Sequence, residues 1–114
     1  MTAAYPDWET INARHIATRR AEAIRAARAA AEAARPFGVR VIVFGSLATG
    51  RFHRASDLDL AMEGPPGAEF EAQGPVFGAA AMHGFEPDIV LLHRAPAGLA
   101  ERIRETGRDP ASLE

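Results

Sequence analysis

The sequence predicts an α/β (α+β) fold in which a small mixed β-sheet is flanked by helices. Short apolar runs at 39–44, 56–62 and 85–92 are typical of strands. Segments of helical pattern separate them, and no segment repeats. The chain has 114 residues, the length of one domain. We expect that domain to span 1–114, with an ordered core of about 8–107.

The composition restricts the classes of function. Hydrophobic residues make up 47% and charged residues 25%, as in ordinary globular proteins. Because the chain contains no cysteine, disulfides, thiolate zinc sites and cysteine nucleophiles are excluded. No apolar run approaches the ~20 residues of a membrane span, and the N-terminus lacks a signal-peptide pattern. We therefore expect a cytoplasmic protein that has no contact with a membrane.

Charge is unevenly distributed along the chain. Residues 1–56 carry nine arginines and four acids, whereas residues 57–114 carry four arginines and eleven acids. An arginine-rich half favours an anionic ligand or an acidic partner. The net charge of −2 argues against nucleic acid as the main partner.

The first element is a long helix. It is predicted to begin at a cap on Asp7 or Thr10 and to reach about Arg35, because no glycine or proline interrupts it. Pro36 and Gly38 end it. A narrow stripe, built mostly of alanine, suits close packing on a sheet. Its members are Ala13, Ala17, Ile24, Ala27, Ala31 and Ala34. Most of the arginines lie on other faces of this helix, where we expect them to be solvated.

A strand, a tight turn and a second strand follow. The strand Val39–Phe44 stops at Gly45, and Ser46 starts a helical turn or two that extends to about Arg51. The second strand is predicted over Ser56–Met62.

The segment Ala68–Gly84 has an ambiguous pattern. Apolar residues recur at helical spacing, but Gly74-Pro75 interrupts the first part, so the helix is predicted only for about Val76–His83. A third strand is predicted over Phe85–Leu92.

A final helix is predicted over Pro96–Thr106. Gly107 ends this helix, and we expect the last residues of the chain to be frayed.

The stretch from Gly45 to Leu60 carries the candidate site. A serine directly after a strand-ending glycine starts a helix whose unpaired N–H groups attract phosphate. Asp57 and Asp59 alternate with Leu58, so a strand would point both carboxylates from one face. Two carboxylates about 6 Å apart repel by roughly 3 kcal/mol at an effective dielectric constant of 20, and a bound cation would reverse this repulsion. Oxygen ligands without a thiolate favour magnesium or manganese over zinc.

A third carboxylate, Asp88, comes within reach if the second and third strands pair. Three carboxylates beside a phosphate-binding turn favour phosphoryl or nucleotidyl transfer, where divalent ions neutralise developing charge. A P-loop is disfavoured, because Arg51-Phe52 stands where the lysine and hydroxyl residue are required. The carboxylates could instead be solvated residues at strand ends, and Asp88 could cap a turn.

Gly45-Ser46, ten further residues and then Asp57-Leu58-Asp59 resemble the signature of nucleotidyltransferases of the DNA polymerase beta superfamily. Residues 43–50 and 56–60 are similar to the minimal, MNT-type branch, and the resemblance covers about 8–107. It implies a polymerase-beta-like nucleotidyltransferase fold. It also implies a role for each site residue. Asp57 and Asp59 would hold magnesium and the triphosphate, and Asp88 would complete a second metal site and help to deprotonate an attacking hydroxyl. The phosphates would be held by Gly45 and Ser46.

The resemblance further implies an activity and a partner. Minimal members are often encoded beside a HEPN-type ribonuclease toxin, and several are antitoxins that transfer AMP from ATP to a toxin tyrosine. We therefore expect a protein adenylyltransferase that uses ATP and two Mg²⁺ ions and acts as an antitoxin. One alternative is a non-catalytic partner-binding antitoxin. Another, less favoured because an acceptor domain is missing, is an antibiotic-modifying nucleotidyltransferase. The acceptor, the base preference, the number of nucleotides transferred and the oligomeric state stay open.

Overall fold

A three-stranded mixed sheet forms the centre of the molecule in a computed structural model, which describes residues 7–114. The strands are β1 (Arg40–Phe44), β2 (Asp59–Glu63) and β3 (Asp88–Leu91), in that spatial order. β2 pairs antiparallel with β1 and parallel with β3. This arrangement confirms the predicted fold class, a small mixed sheet flanked by helices.

In the described part of the chain, four α-helices surround the sheet. They are α1 (Trp8–Ala34), α2 (Ser46–Thr49), α3 (Ala68–Ala81) and α4 (Ala97–Thr106). Three 3₁₀ turns lie at Arg35–Phe37, Leu92–Arg94 and Pro110–Ser112. Within residues 7–114, no helix combines the length and apolar character needed to cross a membrane.

Helices cover both faces of the sheet. Successive side chains of a strand point to opposite faces, and in these strands both sets include apolar residues. Val41, Val43, Leu60 and Met62 belong to the larger core under α1 and α3. Ile42 and Ala61 belong to a smaller core with α4, whose Ala100 and Ile103 are buried. The sheet is therefore a middle layer between two helical layers.

α1 begins where the sequence indicates. The Asp7 carboxylate accepts a hydrogen bond of 2.7 Å from the Thr10 N–H, which lowers the pKa of Asp7. The buried residues of α1 occupy its second half and are Ala23, Ile24, Ala26, Ala27, Ala30 and Ala34. The predicted stripe is therefore only partly right. Ala13 and Ala17 are exposed, since fully buried packing begins only near Ala23.

α3 is longer than the sequence predicts. It runs without interruption from Ala68 to Ala81, with Pro75 inside it. The prediction of a helix limited to Val76–His83 was wrong. Gly74 and Pro75 are exposed, whereas Ala72, Val76 and Ala80 are completely buried in the larger core. Burial of that side stabilises the helix more than the hydrogen bond lost at Pro75 destabilises it.

β2 starts later than predicted. Its first residue is Asp59 and not Ser56, although the Leu58 carbonyl already accepts a hydrogen bond of 2.9 Å from the Asp88 N–H. Asp57 therefore precedes the strand, and the predicted start at Ser56 was wrong. Burial still alternates across these residues, because Leu58 and Leu60 are completely buried while Asp57 is exposed and Asp59 is half-buried.

The chain after Gly107 is packed, so the prediction of frayed ends was wrong. Arg108 and Val43 exchange two backbone hydrogen bonds of 2.8 Å. Leu113 is 1% exposed and belongs to the larger core. Arg28 of α1 donates to the Leu113 carbonyl at 2.6 Å. An apolar side chain docked in the core and a closed set of backbone bonds hold this segment in place.

Candidate active site

The turn after β1 has a backbone conformation that requires glycine. Gly45 has φ 73° and ψ −149°, a region that is almost restricted to glycine. A Cβ at this position would collide with Oδ2 of Asp59. The absence of a side chain at Gly45 thus leaves the space that the Asp59 carboxylate occupies.

α2 begins immediately after this turn, at Ser46. The Thr49 N–H donates to the Gly45 carbonyl at 3.1 Å, and the Thr49 hydroxyl donates to the same carbonyl at 3.1 Å. Gly50 ends the helix at φ 78°. The first N–H groups of a helix have no partner within it, so those of this turn are suited to an anion. Ser46 is the first residue of α2, as the sequence predicts, and is half-buried.

Asp59 and Asp88 lie directly opposite each other. They are register partners at the start of β2 and β3, and Phe44 is the partner of Asp59 on β1. Register partners share a face of the sheet, so both aspartates start on the face that α4 covers further along. The structure therefore brings together two of the three predicted carboxylates and the glycine turn.

The electrostatics of Asp59 reflect this crowding. Burial raises the pKa of Asp59, and the negative charges of Asp88 and Asp57 raise it further. The cost of ionising Asp59 comes first from partial removal from water and second from like charges nearby. A cation at this position would remove both penalties.

Asp57 approaches the pair from the loop before β2. It is exposed, and the loop is held by a turn in which the His53 N–H donates to Ser56 Oγ at 2.8 Å and the Ser56 N–H donates to the His53 carbonyl at 3.0 Å. Asp57 also lines a cavity of about 480 Å³. The other lining residues are Arg19, Leu58, Ala81, Gly84, Phe85 and Glu86.

The three carboxylates supply the hard oxygen donors that Mg²⁺ and Mn²⁺ take. Across residues 7–114, however, no group of three His, Asp or Glu side chains is arranged closely enough to hold a metal ion. The donor chemistry and the mutual repulsion at Asp59 fit a divalent cation, and binding one would require the carboxylates to turn toward it. The assignment of Asp57, Asp59 and Asp88 as metal ligands stays a prediction.

Arg19 is a neighbour of this site that the sequence analysis placed in solvent. Its guanidinium carbon lies 4.5 Å from the centre of the Phe85 ring. Its Nη2 donates to the Ser56 carbonyl at 3.4 Å, and its Nε is buried with no hydrogen-bond partner among residues 7–114. No pattern in the sequence marked this position, because the predicted stripe passes through Ala17 and Ile24 and not through Arg19.

A strand-turn-helix beside paired aspartates is an arrangement suited to holding a polyphosphate with a cation, as nucleotide-transferring enzymes do. Comparison with known families agrees with this class. The nucleotidyltransferase domain family matches residues 24–108, and the chain therefore belongs to that family.

A solved structure also supports the nucleotidyltransferase class. The chain is similar to a protein assigned as a minimal nucleotidyltransferase, with 26% sequence identity and a TM-score of 0.61. The alignment covers 93% of this chain and 98% of that one. No curated protein matches the chain. Family and fold together support a transferase that takes a nucleoside triphosphate as substrate.

Proposed function

We propose that this protein is a Mg²⁺-dependent adenylyltransferase that moves AMP from ATP to a hydroxyl group of a partner protein. The observation that carries the proposal is the pairing of Asp59 with Asp88 beside the glycine-only turn at Gly45. Membership of the nucleotidyltransferase domain family supports transfer of a nucleotide in general.

Each residue of the site has a role in this proposal. The N–H groups after Gly45 and the hydroxyl of Ser46 bind the phosphates. The carboxylates of Asp57, Asp59 and Asp88 would hold two Mg²⁺ ions, which supply charge neutralisation for the triphosphate. The crowding that raises the pKa of Asp59 is then relieved by the cations.

The reaction is an in-line displacement at the α-phosphorus. The acceptor hydroxyl oxygen forms a bond to that phosphorus, and the bond to the β-phosphate oxygen breaks, so pyrophosphate leaves. Asp88 accepts the proton of the hydroxyl as the new bond forms. Asp88 is suited to this because it is exposed at the start of β3, where an acceptor from solvent can approach it.

The acceptor in this proposal is a tyrosine of a HEPN-type toxin, and the protein acts as its antitoxin. Support comes from the resemblance to minimal nucleotidyltransferases and from the structural similarity to a protein assigned as one. Two exposed apolar side chains on one side of α3, Phe70 and Phe77, offer a surface for a protein partner.

A labelling experiment tests the proposal. The protein is incubated with Mg²⁺, a HEPN-type toxin and ATP labelled at either the α- or the γ-phosphate. We expect transfer of the α-label only, because AMP is transferred and the γ-phosphate leaves with pyrophosphate.

Two glycine variants form a matched pair for the same assay. Gly45→Ala should reduce labelling by roughly 100-fold or more, because its Cβ displaces the Asp59 carboxylate. Gly50→Ala also has a positive φ but meets no atom within 4 Å, so it should retain most of the activity. Equal labelling by wild type and Asp59→Asn/Asp88→Asn would refute the site.

A second candidate function is neutralisation of a partner by binding alone. Phe70 and Phe77 favour it, because they are exposed and lie seven residues apart, on one side of α3, where they offer an apolar surface to a partner. Protection from the toxin by the Asp59→Asn/Asp88→Asn variant, with a stable complex on gel filtration, would support this function over catalysis.

A further inference from the structure

We infer that the free edge of β3 pairs antiparallel with the same edge of a second copy of this chain, so that two three-stranded sheets join into one. β3 is the last strand in the order β1-β2-β3, and among residues 7–114 no other strand pairs with its outer side. An unpaired strand edge is a template on which another strand can form hydrogen bonds. Such pairing is independent of nucleotide transfer.

The backbone of β3 directs donors and acceptors at this edge. The Asp88 N–H donates to the Leu58 carbonyl at 2.9 Å, on the β2 side. Alternate residues of a strand bond to the same neighbour, so Val90 also bonds to β2. The N–H and C=O groups of Ile89 and Leu91 therefore point away from β2, and a second strand would supply their partners.

The side chains along this edge are apolar and only partly covered. Ile89, Val90 and Leu91 are consecutive, and each is half-buried. A lysine, a proline or a bulge within a strand usually protects such an edge, and Asp88–Leu91 contains none of these. Pairing with another strand would remove more of this apolar surface from water.

The charges at the two ends of β3 favour a second copy as the occupant. The start of the strand carries Glu86 and Asp88. His93 and Arg94 follow its end, and all four residues are exposed. Among residues 7–114, no ion pair involves Glu86, Asp88 or Arg94. In an antiparallel pair the acidic start of each strand lies beside the basic end of the other, whereas a parallel pair would set like charges together.

This arrangement is self-complementary, as a two-fold dimer requires. A pair centred on Val90 sets Ile89 of one copy opposite Leu91 of the other, and these are the residues whose peptide groups point outward. Because the strand has only four residues, the interface is small, and small interfaces are typical of transient complexes. We therefore expect a reversible dimer whose population rises with protein concentration.

Sedimentation velocity over a concentration series up to about 1 mM protein tests the assembly, and wild type should shift from monomer to dimer. Amide hydrogen exchange followed by NMR at the same concentrations locates the interface. The N–H groups of Ile89 and Leu91 should exchange roughly tenfold more slowly or more in the dimer. Val90 is the internal control, because its N–H bonds to β2 in monomer and dimer alike.

Charge reversals at exposed positions test the antiparallel register. Arg94→Glu places like charges at both ends of the paired strands, so it should weaken dimerisation by roughly tenfold. The double variant Glu86→Arg/Arg94→Glu restores opposite charges and should recover most of the lost affinity. Arg102→Glu, an exposed position on α4, makes the same change of charge outside the strand ends and should dimerise like wild type. Far-UV circular dichroism checks that each variant keeps the fold.

Three results would overturn the inference. The first is a wild-type monomer at every concentration. The second is a dimer in which Ile89 and Leu91 exchange as fast as in the monomer, because the second copy would then occupy another surface. The third is equal dimerisation by Arg94→Glu and the double variant, because opposite charges at the strand ends would then have no role in the pairing.

Discussion

At the scale of single residues, the site depends on one carboxylate that is held where ionisation is unfavourable. Asp59 is half-buried, faces Asp88 across the ladder and fills the space that Gly45 leaves. A protein gains no stability from such crowding, so its presence points to a ligand that compensates for it. The proposed ligand is the cation with its triphosphate.

This crowding predicts a pH-dependent gain in stability for Asp59→Asn. Because the pKa of Asp59 is raised in the folded state, the folded protein binds the proton more tightly than the unfolded chain. Protonation therefore favours folding at pH values below the ordinary carboxyl range, and this contribution is lost as the pH rises through the folded pKa. We expect a higher Tm for Asp59→Asn than for wild type at pH 7, and equal Tm values at about pH 3, below the ordinary carboxyl range.

The control for this experiment is Glu101→Gln, an exposed position on α4. It should follow the wild-type Tm at each pH. Addition of Mg²⁺ should raise the Tm of wild type more than that of Asp59→Asn, because only wild type keeps all three of the proposed carboxylate ligands. A lower Tm for Asp59→Asn at pH 7 would contradict the electrostatic interpretation.

At the scale of elements, α3 shows how packing overrides a local signal. Pro75 cannot donate to the preceding turn, yet Ala72 and Val76 on either side of it are completely buried. The helix therefore continues because ending it would expose the apolar side that packs in the larger core.

Because α3 continues through Pro75, we expect Pro75→Ala to stabilise the protein. The variant restores one helical hydrogen bond at an exposed position, and we expect the free energy of unfolding to rise by about 1–3 kcal/mol. Chemical denaturation with far-UV circular dichroism measures both stability and helix content. Gly78→Ala is the comparison. Its Cβ would meet no atom, so a gain of roughly 0.5–1 kcal/mol is expected. A loss of stability in Pro75→Ala would show that α3 starts after Pro75 in solution.

At the scale of the whole molecule, the C-terminal segment joins α1 to the sheet. Arg108 pairs with Val43 of β1, and Leu113 enters the core between these elements. Arg28 and Arg20 of α1 donate to the carbonyls of Leu113 and Glu114. These two arginines thus have partners at the end of the chain, whereas the sequence analysis expects most arginines of α1 to be solvated.

Leu113→Ala tests this packing. Removal of a completely buried leucine side chain should cost about 2–5 kcal/mol, and the Tm should fall by several degrees per kcal/mol. Thermal unfolding measures the change. Glu105→Ala, at an exposed position, should alter stability by less than about 0.5 kcal/mol. A negligible effect of Leu113→Ala would mean that the segment is frayed, as the sequence alone predicts.

Local patterns in the chain were enough to predict the types and order of elements and the glycine turn, whereas the chemistry of the carboxylates stays a prediction. Val41, Ile42 and Val43 favour a strand through their own side chains, and Gly45 followed by Ser46 favours a tight turn into a helix. These preferences act within a few residues, so they can be inferred from the sequence alone.

Contacts between distant residues settled the rest. Three features join residues that are far apart in the sequence: the register of Asp59 with Asp88, the docking of Leu113 in the core and the contact of Arg19 with Phe85. A fourth, the continuation of α3 through Pro75, overrides a local preference. Their free energy comes from apolar burial and pairing that exist only when the whole chain is folded, so no local window of sequence contains them.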